Sequence, residues 1–132
     1  MRLGLGVGFQ AGLAQGPRRA GPDAGQTRPR AADGLGPDGG GHVLERLRAV
    51  IAARARERPP GSYTVDLLDH GTVKISQKVG EEAVEVVVAA NAEGRDRLAS
   101  ESADLLYHLL VLLQSTGVPA DDVWRELARR AR

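Results

Sequence analysis

Cysteine is absent from all 132 residues, which removes disulfides, thiolate catalysis and cysteine-based zinc from consideration and suits a reducing interior. Aromatic residues make up only 3% of the chain, and Tyr107 and Trp124 read as packing residues rather than base-stacking ones. An excess of charge of one sign is also missing. Against 17 Asp and Glu stand 18 Lys and Arg, a net +1, so no global field draws the chain onto nucleic acid or a membrane, and charge chemistry must be local. No apolar run approaches the roughly 18 residues of a spanning helix, and the N-terminus lacks the compact apolar region of a secretory signal. The expectation is a cytoplasmic protein with neither a nucleic-acid nor a membrane partner.

At 42% hydrophobic residues the chain can bury one modest core, hence one domain. Residues 1–41 hold 12 of the 17 glycines and 4 of the 7 prolines and almost no large apolar side chain. Such a segment cannot offset its ordering entropy and is read as a disordered extension. Its "GLGVG" misses the G-x-G-x-x-G spacing and has no strand before it or helix after it, so a dinucleotide loop is set aside. A natural start near Val43, with the extension arising from an over-long reading frame, is the sharper expectation. Finding peptides from residues 1–30 in the endogenous protein would sink it.

From His42 the pattern changes. Val43, Leu44, Leu47, Val50, Ile51 and Ala55 recur at helical spacing until Pro59 and Pro60, which predicts a first amphipathic helix. "GSYTVDLLDHG" predicts a connector of one or two helical turns that carries Leu67 and Leu68 into the core, opening on Ser62 or Thr64 and closing at Gly71. A second long helix runs from a Thr72 cap to Gly94, with Gly80 inside it suggesting a close approach. A third ends at Gly117, and a fourth has Pro119 near its start and acids in its first turn. No strand-like alternation competes. The fold class expected over residues 42–132 is all-α, a bundle of about four helices, and two nearly all-apolar helices in so small a domain predict a homodimer.

On the second long helix Glu81, Glu82 and Glu85 fall within about a 100° arc, while Val79, Ala83, Val84, Val86, Val87, Val88 and Ala90 make the rest apolar nearly all round, as in a buried helix. The third helix repeats the arrangement with Glu101, Asp104 and His108 among leucines. Paired antiparallel through "NAEGRD", the acidic stripes meet. Like charges at low dielectric either take up protons or recruit a cation, and an oxygen-only cluster suits Mg²⁺ or Mn²⁺. The plainer alternative is surface glutamates paired with arginines. A di-iron carboxylate bundle is disfavoured, because the residues three after Glu82 and Glu101 are Glu85 and Asp104 where histidine is required. His108 reads as a core histidine or as a partner to the site.

Against 16 arginines there are only two lysines, Lys74 and Lys78, spaced i, i+4 on the face that continues into Glu81 and Glu85. They read equally as phosphate binders beside a metal-loaded site and as helix partners of Glu81 and Glu82.

"KISQKVGEEAVEVVVAAN", followed by "ESADLLYHLLVLL", resembles the phosphoribosyl-ATP pyrophosphatase family of histidine biosynthesis, within the all-α MazG-like nucleotide pyrophosphohydrolases. The resemblance covers about residues 43–130. It implies helical chains that assemble as dimers or larger, with an acidic motif that holds Mg²⁺. The ligands it implies are Glu82, Glu85, Glu101 and Asp104; Glu81, Glu82 and Glu85 would be catalytic and Lys74 and Lys78 would face the phosphates. Tyr63, within the matching "SYT", together with Asn91 and His108, would contact substrate. The implied reaction is hydrolysis of 1-(5-phosphoribosyl)-ATP to 1-(5-phosphoribosyl)-AMP and pyrophosphate by a stand-alone enzyme without a fused cyclohydrolase. Two competitors remain: a MazG-like house-cleaning nucleoside triphosphate pyrophosphohydrolase, and a non-catalytic helical dimerisation module whose acidic stripes bind a basic partner.

Overall fold

A computed structural model of the chain describes residues 39–132. The extension read over residues 1–41 lies outside the described residues as far as position 38. Gly39–Gly41 belong to the first helix, which starts a turn earlier than the apolar periodicity suggested. Once nucleated, a helix adds a hydrogen bond for each residue it fixes, so the amphipathic run behind these glycines carries them along.

Among the described residues there are five α-helices and no strand: α1 (Gly39–Glu57), α2 (Tyr63–His70), α3 (Thr72–Val88), α4 (Arg95–Thr116) and α5 (Ala120–Arg130). None is long and apolar enough to cross a membrane. The anticipated connector is thus a full eight-residue helix. Ser62 caps it by accepting from the Val65 amide at 3.4 Å, and Gly71, at φ 84°, ends it in a conformation open mainly to glycine. Gly71 also starts α3. Thr72, expected as that cap, is already the first helical residue, and its hydroxyl lies 3.4 Å from Ser115 Oγ on α4.

α3 continues into a π-helical turn, Ala89–Glu93, closed by the Gly94 amide on the Ala89 carbonyl at 3.2 Å. The chain then reverses at Gly94. α4 lies antiparallel to α3 in a register that pairs position 72 with 115 and Glu82 with Glu101 and Asp104. α4 ends at Gly117 in the left-handed region (φ 71°), where the amides of Gly117 and Val118 take up the carbonyls of Gln114 and Leu113. α5 carries Asp121 and Asp122 in its first turn and Arg129 and Arg130 in its last, each sign matched to the helix dipole.

The core draws on every helix: Ile51, Leu67, Ile75, Tyr107, Leu110, Val111 and Ala120, flanked by Leu44, Leu47, Leu68 and Trp124. Two expectations need correction. α3 is not a buried helix within one chain, because Val84 is 54% and Val87 61% exposed, and Leu106 and Leu109 of α4 are exposed as well. Periodicity reports how much of a helix surface is apolar, whereas one small bundle has elements enough to cover only one side of it. At Gly80 nothing lies within 4 Å of where a Cβ would sit, so no close approach from the described residues explains that glycine.

Candidate metal and phosphate site

The α3–α4 hairpin inverts the usual partition of side chains, with valines turned outward and carboxylates turned in. Glu82 (1% exposed), Glu101 and Asp104 are all buried, and one oxygen from each lies within 4.8 Å of the others. Both carboxylate oxygens of Glu82 are buried without a hydrogen-bond partner, as is Oε2 of Glu81. Buried polar atoms are ordinarily satisfied, and an orphaned carboxylate in a low-dielectric setting is costly.

Among the described residues, two cations face the cluster. Lys78, itself 5% exposed, holds Nζ 3.5 Å from Glu81 Oε2 and 3.8 Å from Glu82 Oε1. Arg97, one turn before Glu101, pairs with its Oε1 and reaches Glu93 of the π-helical turn at 3.5 Å. They do not neutralise the site. Burial first, then the charge of Asp104, pushes Glu82 up to about 6 despite Lys78. Burial and then Glu101 push Asp104 up to about 6 against the pull of Arg97 and Lys78. Three converging carboxylate oxygens with unspent acceptor capacity form an oxygen donor set that fits a hard divalent cation.

The other residues singled out from the sequence fall at graded distances from this centre. Glu85, one turn beyond Glu82, is half-buried and near enough for its charge to act on Glu82, but lies outside the trio whose oxygens converge. Glu81 is half-buried and accepts from Gln77 Nε2 at 3.0 Å. Lys74 is exposed a turn before Lys78, and Asn91 is exposed on the π-helical turn, its amide donating to the Val87 carbonyl at 2.8 Å.

His108 is fully buried. Its Nδ1–H donates to the Asp104 carbonyl at 2.7 Å, which leaves Nε2 to accept from the Tyr63 hydroxyl at 2.9 Å, and burial holds its pKa below the usual histidine range, so the ring is neutral. Beside this pair the Thr64 hydroxyl bonds to the Tyr107 hydroxyl. Two successive residues of α2 thereby hold two successive residues of α4, the turn that follows Asp104. Burial and the nearby carboxylates push Tyr63 up to about 12, so its hydroxyl stays protonated. Sequence reasoning does not reach Arg97 or the Thr64–Tyr107 pair, and the one signal for the former is its position four residues before Glu101.

Residues 44–131 match the sequence profile of the Phosphoribosyl-ATP pyrophosphohydrolase family, which is two thirds of the chain and includes every residue of the site. The chain belongs to this family. Among its relatives, phosphoribosyl-ATP pyrophosphatases from Metallosphaera sedula and Pyrobaculum calidifontis are each 57% identical, over 90 and 91 residues, covering 68% and 69% of this chain and 97% of each relative. That of Pyrobaculum aerophilum is 58% identical over 90 residues, covering 68% of the chain and 96% of the relative. The carboxylate trio, both lysines and the Tyr63–His108 pair of this phosphoribosyl-ATP pyrophosphohydrolase family member all lie within the residues that match the family profile.

Proposed function

We propose that the chain hydrolyses 1-(5-phosphoribosyl)-ATP to 1-(5-phosphoribosyl)-AMP and pyrophosphate, the second step of L-histidine biosynthesis, in the cytoplasm. The observation that carries this reading is the convergence of Glu82, Glu101 and Asp104, buried, under-neutralised and beside a buried lysine, in a chain of this family. These three would hold Mg²⁺, or Mn²⁺ in its place, and Glu85, one turn beyond Glu82 on α3, would be the fourth candidate ligand. When bound, such an ion supplies charge neutralisation for the phosphate oxygens.

The chain's own groups do the rest. Lys78, fixed at the inner wall, and Lys74, free to reach from the surface, bind the polyphosphate as point charges. A water oxygen bonds to phosphorus at the α–β bridge, the bridging P–O bond breaks, and pyrophosphate leaves. The water's proton passes to a carboxylate of the Glu81, Glu82 and Glu85 group. Tyr63 and Asn91 border the substrate, and His108, buried with both ring nitrogens engaged, acts on it through the Tyr63 hydroxyl. Val84, Val87, Leu106 and Leu109, exposed in the single chain, form the face on which a second copy docks to give a homodimer.

The test is pyrophosphate release by the purified protein with Mg²⁺, together with complementation of a histidine auxotroph lacking this step. Turnover of phosphoribosyl-ATP that Asp104→Asn abolishes with the fold retained is the expected result. Release from deoxynucleoside triphosphates with phosphoribosyl-ATP untouched would replace this reading with a house-cleaning pyrophosphohydrolase. Full function in Glu82→Gln and Asp104→Asn would leave only a dimerisation module.

A further inference from the structure

Arg97 sits between two carboxylates one helical turn away on either side. Its guanidinium is paired with Glu101, a buried member of the trio, and its Nε lies 3.5 Å from Glu93, which is partly open to solvent. The arginine itself is 47% exposed. A long, flexible side chain that is already half in water can swing between the two carboxylates and is resolvated as it leaves Glu101. Lys78 differs, being buried with its ammonium enclosed beside Glu81 and Glu82. Of the two cations that the described residues bring to the cluster, Arg97 is the one placed to leave.

Resting on the metal-site reading above, we infer that Arg97 is an exchangeable counter-cation: it neutralises Glu101 in the metal-free protein and retires to Glu93 when a divalent ion takes the carboxylates. Two positive charges at one buried carboxylate group repel, so metal uptake carries the cost of displacing the guanidinium. Arg97 thereby lowers the affinity of the site for its metal while keeping the empty site from accumulating uncompensated charge. The opposite role is also physically available to such a side chain, since a group that hydrogen-bonds a ligating carboxylate can orient it and tighten binding. The two roles give effects of opposite sign.

The experiment titrates Mn²⁺ alone into metal-stripped protein by calorimetry at fixed ionic strength, comparing wild type, Arg97→Gln and Arg97→Lys, with circular dichroism confirming helical content. Removing the charge of a half-exposed pair is expected to tighten Mn²⁺ binding about two- to fivefold in Arg97→Gln. Arg97→Lys, which keeps the charge, is expected to stay near wild type. Unchanged binding in Arg97→Gln overturns the inference, and weaker binding overturns it and makes Arg97 an orienting group, in both cases with the metal site intact. Tightening in Arg97→Lys equal to that in Arg97→Gln also overturns it, because charge would not be the cause. Absence of saturable Mn²⁺ binding in the wild type overturns both the inference and the metal-site reading.

Discussion

Replacing Glu82 by Gln removes one charge from the buried cluster and keeps the shape of the side chain, so it separates what the carboxylate does for function from what it does to the fold. In the folded chain Glu82 is pushed up to about 6 from an ordinary 4.5, chiefly by burial. A folded-state pKa above the unfolded value means that the native state holds its proton to higher pH than the unfolded chain. The contribution of Glu82 to stability is therefore fully present below pH 4.5 and is lost as pH rises through 6. A shift of about 1.5 units corresponds to at most about 2 kcal/mol, which solvent reaching the cluster reduces to about 1 kcal/mol. Glu82→Gln is thus expected to raise the melting temperature of metal-free protein at pH 8 by about 4–8 °C for a domain of this size. The gain should shrink as pH falls through 6 and reach zero only well below pH 4.5, where Glu82 is protonated in both states. Thermal unfolding followed by circular dichroism in EDTA, at one protein concentration, measures it. A variant that melts at or below the wild-type temperature at pH 8 would refute the burial and repulsion described for this carboxylate. The same substitution is expected to abolish pyrophosphate release, the stability–activity opposition typical of a site that holds strained charge.

Other perturbations follow from the packing. Tyr63→Phe leaves His108 Nε2 without its donor, and a lost hydrogen bond at a buried acceptor is expected to cost about 1–3 kcal/mol, read as a lower denaturation midpoint in urea with unchanged slope. Ile75→Ala, at a side chain with no exposure and contacts from several helices, should cost about 2–5 kcal/mol by the same measurement. Val87→Glu places a charge on the outward valine face of α3; light scattering is expected to show a dimer for wild type and a monomer for the variant, and a monomer in both would remove the dimer from the proposal.

The α3–α4 hairpin and its carboxylates were legible in the sequence because an acid at i, i+3 on an otherwise apolar helix has few places to go. The register followed from the shortness of "NAEGRD". What sequence periodicity could not supply was coverage: Val84 and Val87 look the same whether the face they lie on meets another part of this chain or solvent. Thr72 was a reasonable cap by residue type, but Gly71 already supplies the turn that ends α2, and one residue can serve both helices. The role of Arg97 is not legible in the sequence, because an arginine four before a glutamate is ordinarily a surface pair and becomes significant only where Glu101 is buried. Glu85 shares the helical arc of Glu81 and Glu82, yet an arc on one helix does not say which carboxylates a second helix reaches.

The hairpin has a kinetic corollary. Its two arms are joined by a short turn, so their pairing closes little chain entropy and belongs to the early, local events of folding, whereas α2 must close separations of 43 and 45 residues to dock Thr64 and Tyr63 onto α4. Repulsion among Glu82, Glu101 and Asp104 is therefore met at the outset, before the rest of the core exists to hold the arms together. Protons, or any cation that screens those three groups, act on the rate at which the molecule first assembles as well as on the finished site.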